Sequence, residues 1–384
     1  MTPSTKASAK HDEDAALPSS EAAPGSKHKP DDAEPESHEI KRTKTTTEKG
    51  QMTIEESMKN AGSSKHSNKK GNHEPEDDAK EAKSKLSASE DTGSAVEPHG
   101  RDGFETVPAS ILEKGIIYFF FRGRVNIDEP SNVDDIARSY ILLRPIEKDA
   151  KLGSGPIGDA GNSRLCAIPK KVLPQSGRDR WISFVEKAGA SFQQLKDEFL
   201  SSSDYETKTA GTRHSPAATP VGEGVYAITS TGRESHLVYM LTLPEKLGEV
   251  QKEIGLREKG SFIISTKNPE YPAPANARLP KSAEYPEEVQ KEFRSLRWMP
   301  TQPKHLDFVS TQFLLVGESS GVDKALEPQK EDQTKENAEP IDELEKLEEE
   351  DTKRMSGLSK DDATSIFADL EVHANDYPKL QTTF

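Results

Sequence analysis

Aromatic residues are missing from the start of the chain. Phe, Tyr and Trp do not occur in the first 103 positions, whereas 20 of the 23 lie between Phe104 and Phe313. A segment rich in Lys, Glu, Asp, Ser and Pro that has no aromatic residues cannot bury enough apolar surface to offset the entropy of ordering its backbone. The composition predicts a disordered tail over 1–103, a folded core over 104–317 and an acidic, mostly disordered tail over 318–384.

Cysteine and long apolar runs are also scarce. The single cysteine, Cys166, lies in the apolar run 165–168, so neither an internal disulfide nor a multi-cysteine zinc site can form, and we expect a buried, inert thiol. The first residues lack the apolar stretch of a signal peptide, and no segment approaches the roughly 18 apolar residues of a membrane span. We expect a protein that is neither secreted nor membrane-spanning.

An excess of positive charge is missing too. The chain has 52 Lys and Arg against 67 Asp and Glu; residues 1–100 hold 15 and 20 of them and residues 320–384 hold 8 and 18, which leaves 29 of each for the core. Nucleic-acid-binding proteins usually carry a basic face that displaces counterions from phosphates. Direct DNA binding is not expected, and the partners should be proteins.

Apolar periodicity within the core predicts the elements of the fold. Strands are expected at 115–125, 139–146, 164–173, 225–229, 236–243, 260–266 and 311–316, and helices at 179–200, 244–256 and 286–293. A flexible loop rich in Ser, Thr and Pro is expected at about 203–222. Because strands mix irregularly with helices, the pattern favours an α+β fold, a single mixed or antiparallel sheet packed by several helices.

The N-terminal tail carries a short basic cluster at Lys41, Arg42 and Lys44. Nuclear import receptors bind such clusters by charge complementarity, and the alternative is a solvated charge run. The cluster predicts a nuclear or nucleocytoplasmic protein.

The C-terminal tail predicts two helices. Residues 341–355 fit a solvated, charged helix, and 359–372 fit a short amphipathic one with Ile366, Phe367 and Leu370 on one face. The second helix would dock on a partner or on the core of its own chain.

Two serine or threonine residues precede prolines in the expected loop, Ser215 and Thr219. Proline-directed kinases modify such sites where the chain is extended and exposed. Both residues are therefore candidate phosphorylation sites.

Three arginines lie in or beside two strands expected to be neighbours: Arg122, Arg124 and Arg144. They could line a groove that accepts an anion or another small ligand. Alternatively they pair with nearby carboxylates, at Asp128, Glu129, Asp134 and Asp135.

Three further patterns do not predict a functional site. The GxGxxG match at 153–158 is followed by a strand, whereas a dinucleotide site needs a helix there. The GxSxG match at 317–321 precedes a charged tail, whereas a nucleophile elbow needs a following helix and a later acid and histidine. The core histidines lack the spacing of metal ligands, so no cofactor or metal is predicted: His214, His236 and His305.

Four segments resemble one protein family: 112–125 (LEKGIIYFFFRGRV), 134–145 (DDIARSYILLRP), 243–251 (LPEKLGEVQ) and 265–269 (STKNP). Fungal members of this family are often labelled "BTB domain transcription factor", and similar cores occur in prokaryotes. The resemblance covers about 104–317 and implies no catalytic or ligand-binding residues.

The sequence thus favours a non-enzymatic, intracellular protein of nuclear location that interacts with other proteins. A regulatory role associated with transcription is what the family label suggests. The alternative is a small-molecule or anion-binding domain, or an enzyme, with a pocket in the core.

Overall fold

A computed structural model describes residues 95–97, 107–208, 211–330, 332, 339–361 and 382–383, with side chains of the last helix to residue 357. The strands are β1 (Val96–Glu97), β2 (Ile111–Gly123), β3 (Ile136–Ile146), β4 (Lys151–Leu152), β5 (Ser163–Ile168), β6 (Arg180–Ala190), β7 (Ser203–Thr207), β8 (Gly211–Ser215), β9 (Ala218–Ser230), β10 (Ser235–Leu243), β11 (Lys259–Lys267), β12 (Trp298–Pro300) and β13 (Gln312–Gly317).

The helices are α1 (Phe192–Leu195), α2 (Glu249–Glu253), α3 (Glu287–Glu292) and α4 (Pro340–Asp361). A π-helical turn, Lys196–Leu200, continues α1, and short 3₁₀ turns occupy Val133–Asp135, Ala275–Ala277 and Pro303–Asp307. No helix in these ranges has the length and apolar character needed to cross a membrane.

Eight of the strands close into an antiparallel barrel. β2, β3, β5 and β6 form one four-stranded meander, and β9, β10, β11 and β13 form a second. β2 pairs with β9 and β6 pairs with β13, so the two meanders join along both sides. The predicted α+β fold is wrong, because the structure is a closed barrel with few helices. Apolar periodicity identifies strands, but it does not report whether the outermost strands of a sheet meet.

The barrel interior is filled by side chains. Apolar residues from all eight strands meet there, among them Phe119, Tyr239 and Phe262. The ring centroids of Phe119 and Tyr239 lie 4.9 Å apart in an edge-on arrangement, and those of Tyr239 and Phe262 lie 5.7 Å apart in a stack. A void of about 10 Å³ beside Cys166 leaves no room for a ligand.

One glycine makes this packing possible. Gly260 lies opposite Tyr239 in the ladder between β10 and β11. A Cβ atom at Gly260 would lie 2.6 Å from the Tyr239 ring, well inside van der Waals contact. The missing side chain therefore gives the tyrosine ring its place in the barrel.

The outer face of several barrel strands is apolar as well and is covered by helices. Tyr118, Phe120 and Tyr140 point outward, and Phe199 of the π-helical turn packs edge-on against Phe120 and Tyr140 at 5.4 and 4.9 Å. Leu344 and Leu347 of α4 belong to the same outer cluster. The strands read as continuous apolar runs because both of their faces are buried.

Buried charges hold α4 on the barrel. Arg354 lies 2.6 Å from Asp351 and 3.4 Å from Glu223 of β9, and all three are almost fully buried. Thr242 of β10 donates a hydrogen bond of 2.7 Å to Asp351. The helix predicted to be solvated at 341–355 is therefore packed on the barrel. The prediction was wrong because the acidic composition of the segment suggests a solvated helix even though one side of it is buried.

Two further segments differ from the sequence prediction. Arg180–Ala190 is a strand rather than part of a helix, since Trp181, Ser183 and Val185 alternate toward the barrel interior. The apolar residues of this segment also fit a helical spacing, and for this reason the sequence pattern predicts a helix. The expected loop at 203–222 contains the β7–β8 hairpin and the start of β9.

The folded part extends beyond the predicted core. Residues 95–97 lie within the predicted N-terminal tail, yet Val96 pairs with Leu152 in a short antiparallel ladder. Helix α4 lies within the predicted C-terminal tail. Both predicted boundaries were set by composition, which does not register short docked segments.

Replacing Arg354 with Ala should lower the free energy of unfolding by about 3–5 kcal/mol, because the carboxylates of Asp351 and Glu223 would remain buried without their cation. Lys353→Ala on the exposed side of the same helix is the control and should change it by less than about 1 kcal/mol. Equilibrium denaturation of both variants measures the difference, and equal losses would show that the Arg354 network does not hold the helix.

Candidate functional site

The candidate arginines do not form one groove. Ile116 lies opposite Arg144 in the β2–β3 ladder, and Arg122 lies opposite Arg138. Six residues along a strand correspond to about 20 Å. Arg122 and Arg144 are thus at opposite ends of the ladder, and Arg124 is exposed beyond the end of β2.

Arg144 holds the loop that carries the GxGxxG match. Its guanidinium lies over the Phe192 ring, 4.1 Å from the centroid, and donates hydrogen bonds of 2.8 and 2.9 Å to the carbonyls of Ile157 and Gly158. The side chain is buried. The loop leads into strand β5 and not into a helix, so it lacks the geometry of a dinucleotide site.

A cleft of about 390 Å³ lies beside Arg144 and is bordered by residues 144–147 and 157–162. Its polar groups are engaged in holding the loop: Asp159 accepts the N–H groups of Phe192 and Gly161 at 2.7 and 2.9 Å, and Asn162 donates to the carbonyl of Pro145. This geometry indicates a structural role for the cleft residues.

Arg122 and the two candidate phosphorylation sites lie together near β8 and β9. Arg122 donates to the carbonyl of Phe199 and to the hydroxyl of Ser215, the latter at 3.2 Å. Ser215 is half-buried in β8, and Thr219 is 5% exposed in β9. Neither residue lies in the exposed loop on which the phosphorylation prediction depends.

His214 clamps the β7–β8 hairpin to the turn after β2. Its Nδ1 lies 2.6 Å from Asp204, its Nε2 lies 2.8 Å from Asp128, and its backbone exchanges hydrogen bonds with Asn126. The hydrogen bond to Asp204, followed by the charge of Asp128, raises the pKa of His214 above its ordinary value of 6.5. In its protonated form the ring can donate a hydrogen bond to each of the two carboxylates.

The other core histidines are buried and structural. His236 Nδ1 lies 2.8 Å from Glu318, whose carboxylate also accepts the hydroxyl of Ser261. Ser319 of the GxSxG match is exposed and is not the histidine's partner. Burial lowers the pKa of His305 to about 4, and its Nδ1 accepts a backbone N–H at 3.1 Å.

Burial also raises the pKa of the Cys166 thiol to about 12, in agreement with the expected inert cysteine. Within the described part of the chain, no group of three or more His, Cys, Asp and Glu residues could hold a metal ion.

Two predicted motifs lie outside the described residues. They are the basic cluster of Lys41, Arg42 and Lys44 and the amphipathic face of Ile366, Phe367 and Leu370.

The segment between β11 and β13, residues 268–311, forms a cap on one end of the barrel, with Leu306 buried among the interior residues. Its outer surface carries a groove of about 400 Å³, here called the cap groove, which is lined by Glu292, Arg294, Leu296, Met299, Gln302 and Lys304. Leu296 is 51% exposed, and Val309, which belongs to the same cap but does not line the groove, is 52% exposed. Strand β12 contributes Met299 to the groove, and among the described strands it pairs with β11 alone.

Sequence reasoning missed the cap groove. The one available signal was the stretch from Phe293 to Leu306, which combines Arg294, Arg297 and Trp298 and contains no acidic residue.

Comparisons with known proteins return no relative: no family profile, curated protein or solved structure matches the chain.

Replacing Arg144 with Ala should lower the free energy of unfolding by about 2–4 kcal/mol, since it removes the hydrogen bonds that the guanidinium donates to two loop carbonyls and a buried side-chain stem. Arg124→Ala, at an exposed position, should change it by less than about 0.5 kcal/mol. Thermal and chemical denaturation measure both variants. Unchanged stability in Arg144→Ala would instead favour an anion-binding role for this residue.

The His214 clamp should weaken as pH rises. Because the folded pKa is raised, the stabilisation is complete below the unfolded pKa of about 6.5 and is lost as pH rises through the folded value. Asp204→Asn should lower the His214 pKa in an NMR titration, with His214→Gln to assign the resonance. The stability difference between Asp204→Asn and the parent protein should be larger at pH 5.5 than at pH 8.5; a pH-independent difference would contradict the clamp.

Proposed function

We propose that the chain is a non-enzymatic protein-interaction protein that binds its partner at the cap groove. The observation that carries this proposal is the contrast between a filled barrel interior, with a void of about 10 Å³, and an open groove of about 400 Å³ on the cap. Ligand-binding barrels keep an internal cavity for the ligand. A filled barrel with an open surface groove, in which Leu296 and Met299 are flanked by charged and polar residues, is suited to present a surface to another protein.

The placement of the polar residues supports the same proposal. The residues that could have served in catalysis make structural contacts: His236 with Glu318, His305 with its own turn, and Arg144 with the loop carbonyls. A nuclear location and a role in transcription are part of the proposal; they rest on the basic cluster of the N-terminal tail and on the family resemblance.

The runner-up is a small-molecule or anion site in the Arg144 cleft. Its support is a cavity of similar volume with a buried cation at its border. The stability of Arg144→Ala separates the two proposals, because a residue kept for ligand binding can be removed with little loss of stability.

Leu296→Asp should abolish partner binding without lowering the melting temperature, because about half of the side chain is exposed and it belongs to neither hydrophobic core cluster. Val309→Asp is the matched control: it lies in the same cap with 52% exposure and does not line the groove. Quantitative affinity enrichment of both variants and the parent protein from cells gives the partner sets. Partners lost only from Leu296→Asp support the proposal, and identical sets for all three proteins would refute it.

A further inference from the structure

Strand β12 ends the sheet on the cap side, and its outer backbone edge has no hydrogen-bond partner among the described residues. The carbonyl of Arg297 and the N–H of Thr301 form hydrogen bonds on the β11 side, at 3.0 and 3.3 Å. Backbone groups alternate between the two sides of an antiparallel strand. The N–H and carbonyl of Trp298 and the carbonyl of Pro300 therefore face away from β11.

We infer that the cap groove takes its partner as an extended peptide that pairs with β12 and places a carboxylate on Arg294. This inference rests on the proposed function and specifies how that surface binds. An unpaired strand edge is a template for another extended chain, and main-chain hydrogen bonds then supply affinity while the neighbouring groove selects side chains.

The edge is short, which limits the pairing. Pro300 has no N–H, so the edge offers one donor and two acceptors. At its other end Leu296 is already occupied, since its N–H donates to Phe293 and its carbonyl accepts from Asn268. A bound peptide would form about three main-chain hydrogen bonds, and the side chains facing Leu296 and Met299 would be apolar.

Arg294 supplies the charge selection. Lys304, the other cation of the groove, lies 2.6 Å from Glu292 and is already compensated. The Arg294 guanidinium has no ion pair or hydrogen bond within the described ranges, and it borders the groove. A carboxylate is the partner that a guanidinium binds most strongly, through paired N–H donors.

The backbone of Arg294 strengthens this assignment. The residue follows α3 with φ of +48°, and its N–H donates to the carbonyl of Lys291 at 3.1 Å. The position after a helix with this conformation is usually glycine, because a Cβ atom disfavours it. Arg294 therefore adopts a conformation that its Cβ atom disfavours, which is in keeping with a binding role for the side chain. Because glycine adopts this conformation freely, Arg294→Gly should remove the side chain without lowering the stability of the fold.

The test begins with a random dodecapeptide phage library selected against the immobilised full-length chain. Selected peptides are synthesised, and their affinities are measured by fluorescence polarisation for the parent protein, Arg294→Gly, Arg294→Glu and Leu296→Asp. Arg278→Gly is the control, since Arg278 is an exposed cation of the same cap outside the groove. Melting temperatures are recorded for all proteins.

We expect the selected peptides to share an acidic residue next to apolar ones. Arg294→Gly should weaken binding by about tenfold or more, the loss expected for a charged hydrogen bond, without lowering the melting temperature. Arg278→Gly should leave the affinity unchanged, and a peptide with Lys in place of its acidic residue should recover affinity for Arg294→Glu. N-methylation of one peptide amide should abolish binding, because it removes a main-chain donor.

Two results overturn the inference in distinguishable ways. If peptides bind and are lost in Leu296→Asp, the proposed docking surface stands; tolerance of N-methylation at every position then shows that strand pairing with β12 is wrong, and binding without an acidic residue shows that the Arg294 contact is wrong. If no selected peptide responds to Leu296→Asp, or the library yields none, an extended peptide is not the partner and the inference is refuted, while the partner sets of Leu296→Asp and Val309→Asp decide the proposed docking surface.

Discussion

Closure of the sheet is the constraint on which the rest of this structure depends. Once β2 pairs with β9 and β6 with β13, the barrel strands have no free edge along these junctions, and their inner faces share one enclosed volume. That volume must be filled, which explains the interlocked aromatic rings and the glycine opposite Tyr239. The outer faces are apolar too, so they recruit α4 and the turn after α1 as a second layer. A binding site must then lie on a surface outside the filled barrel interior and its covered outer face.

Much of the local structure could be predicted from the sequence, and the global arrangement could not. Long apolar runs such as the one through Phe119 to Phe121 are strands because both faces are buried, and this signal is strong in a single sequence. Closure depends on which strands meet at distant points of the chain, and no local pattern encodes it. The prediction of a helix around Trp181 was wrong for a different reason, since the apolar spacing of this segment fits a helix and a strand equally well.

The candidate site shows the same limit at the level of side chains. Arg122 and Arg144 were predicted to be near each other because their strands are neighbours, which is true, but antiparallel register places them at opposite ends. The cap groove could not be assembled from sequence, since its lining residues come from a helix end, an edge strand and a turn. The property of the groove that matters most is the outer edge of β12, whose backbone groups have no partner among the described residues. Residue types alone do not show which backbone groups are unpaired.

Strand β4 joins the two ends of the folded chain. Leu152 pairs with Val96 from the N-terminal side, and its N–H donates to Glu350 of α4 at 2.9 Å from the C-terminal side. The described contacts of the domain therefore reach from Val96 to α4, and the carbonyl of Thr382 also accepts the N–H of Val250 in α2 at 3.4 Å. A fragment trimmed to the aromatic-rich region, 104–317, would lose the α4 layer and expose apolar barrel surface. Such a fragment should aggregate. Protease cleavage within α4 should likewise destabilise the whole domain, since this helix covers the barrel.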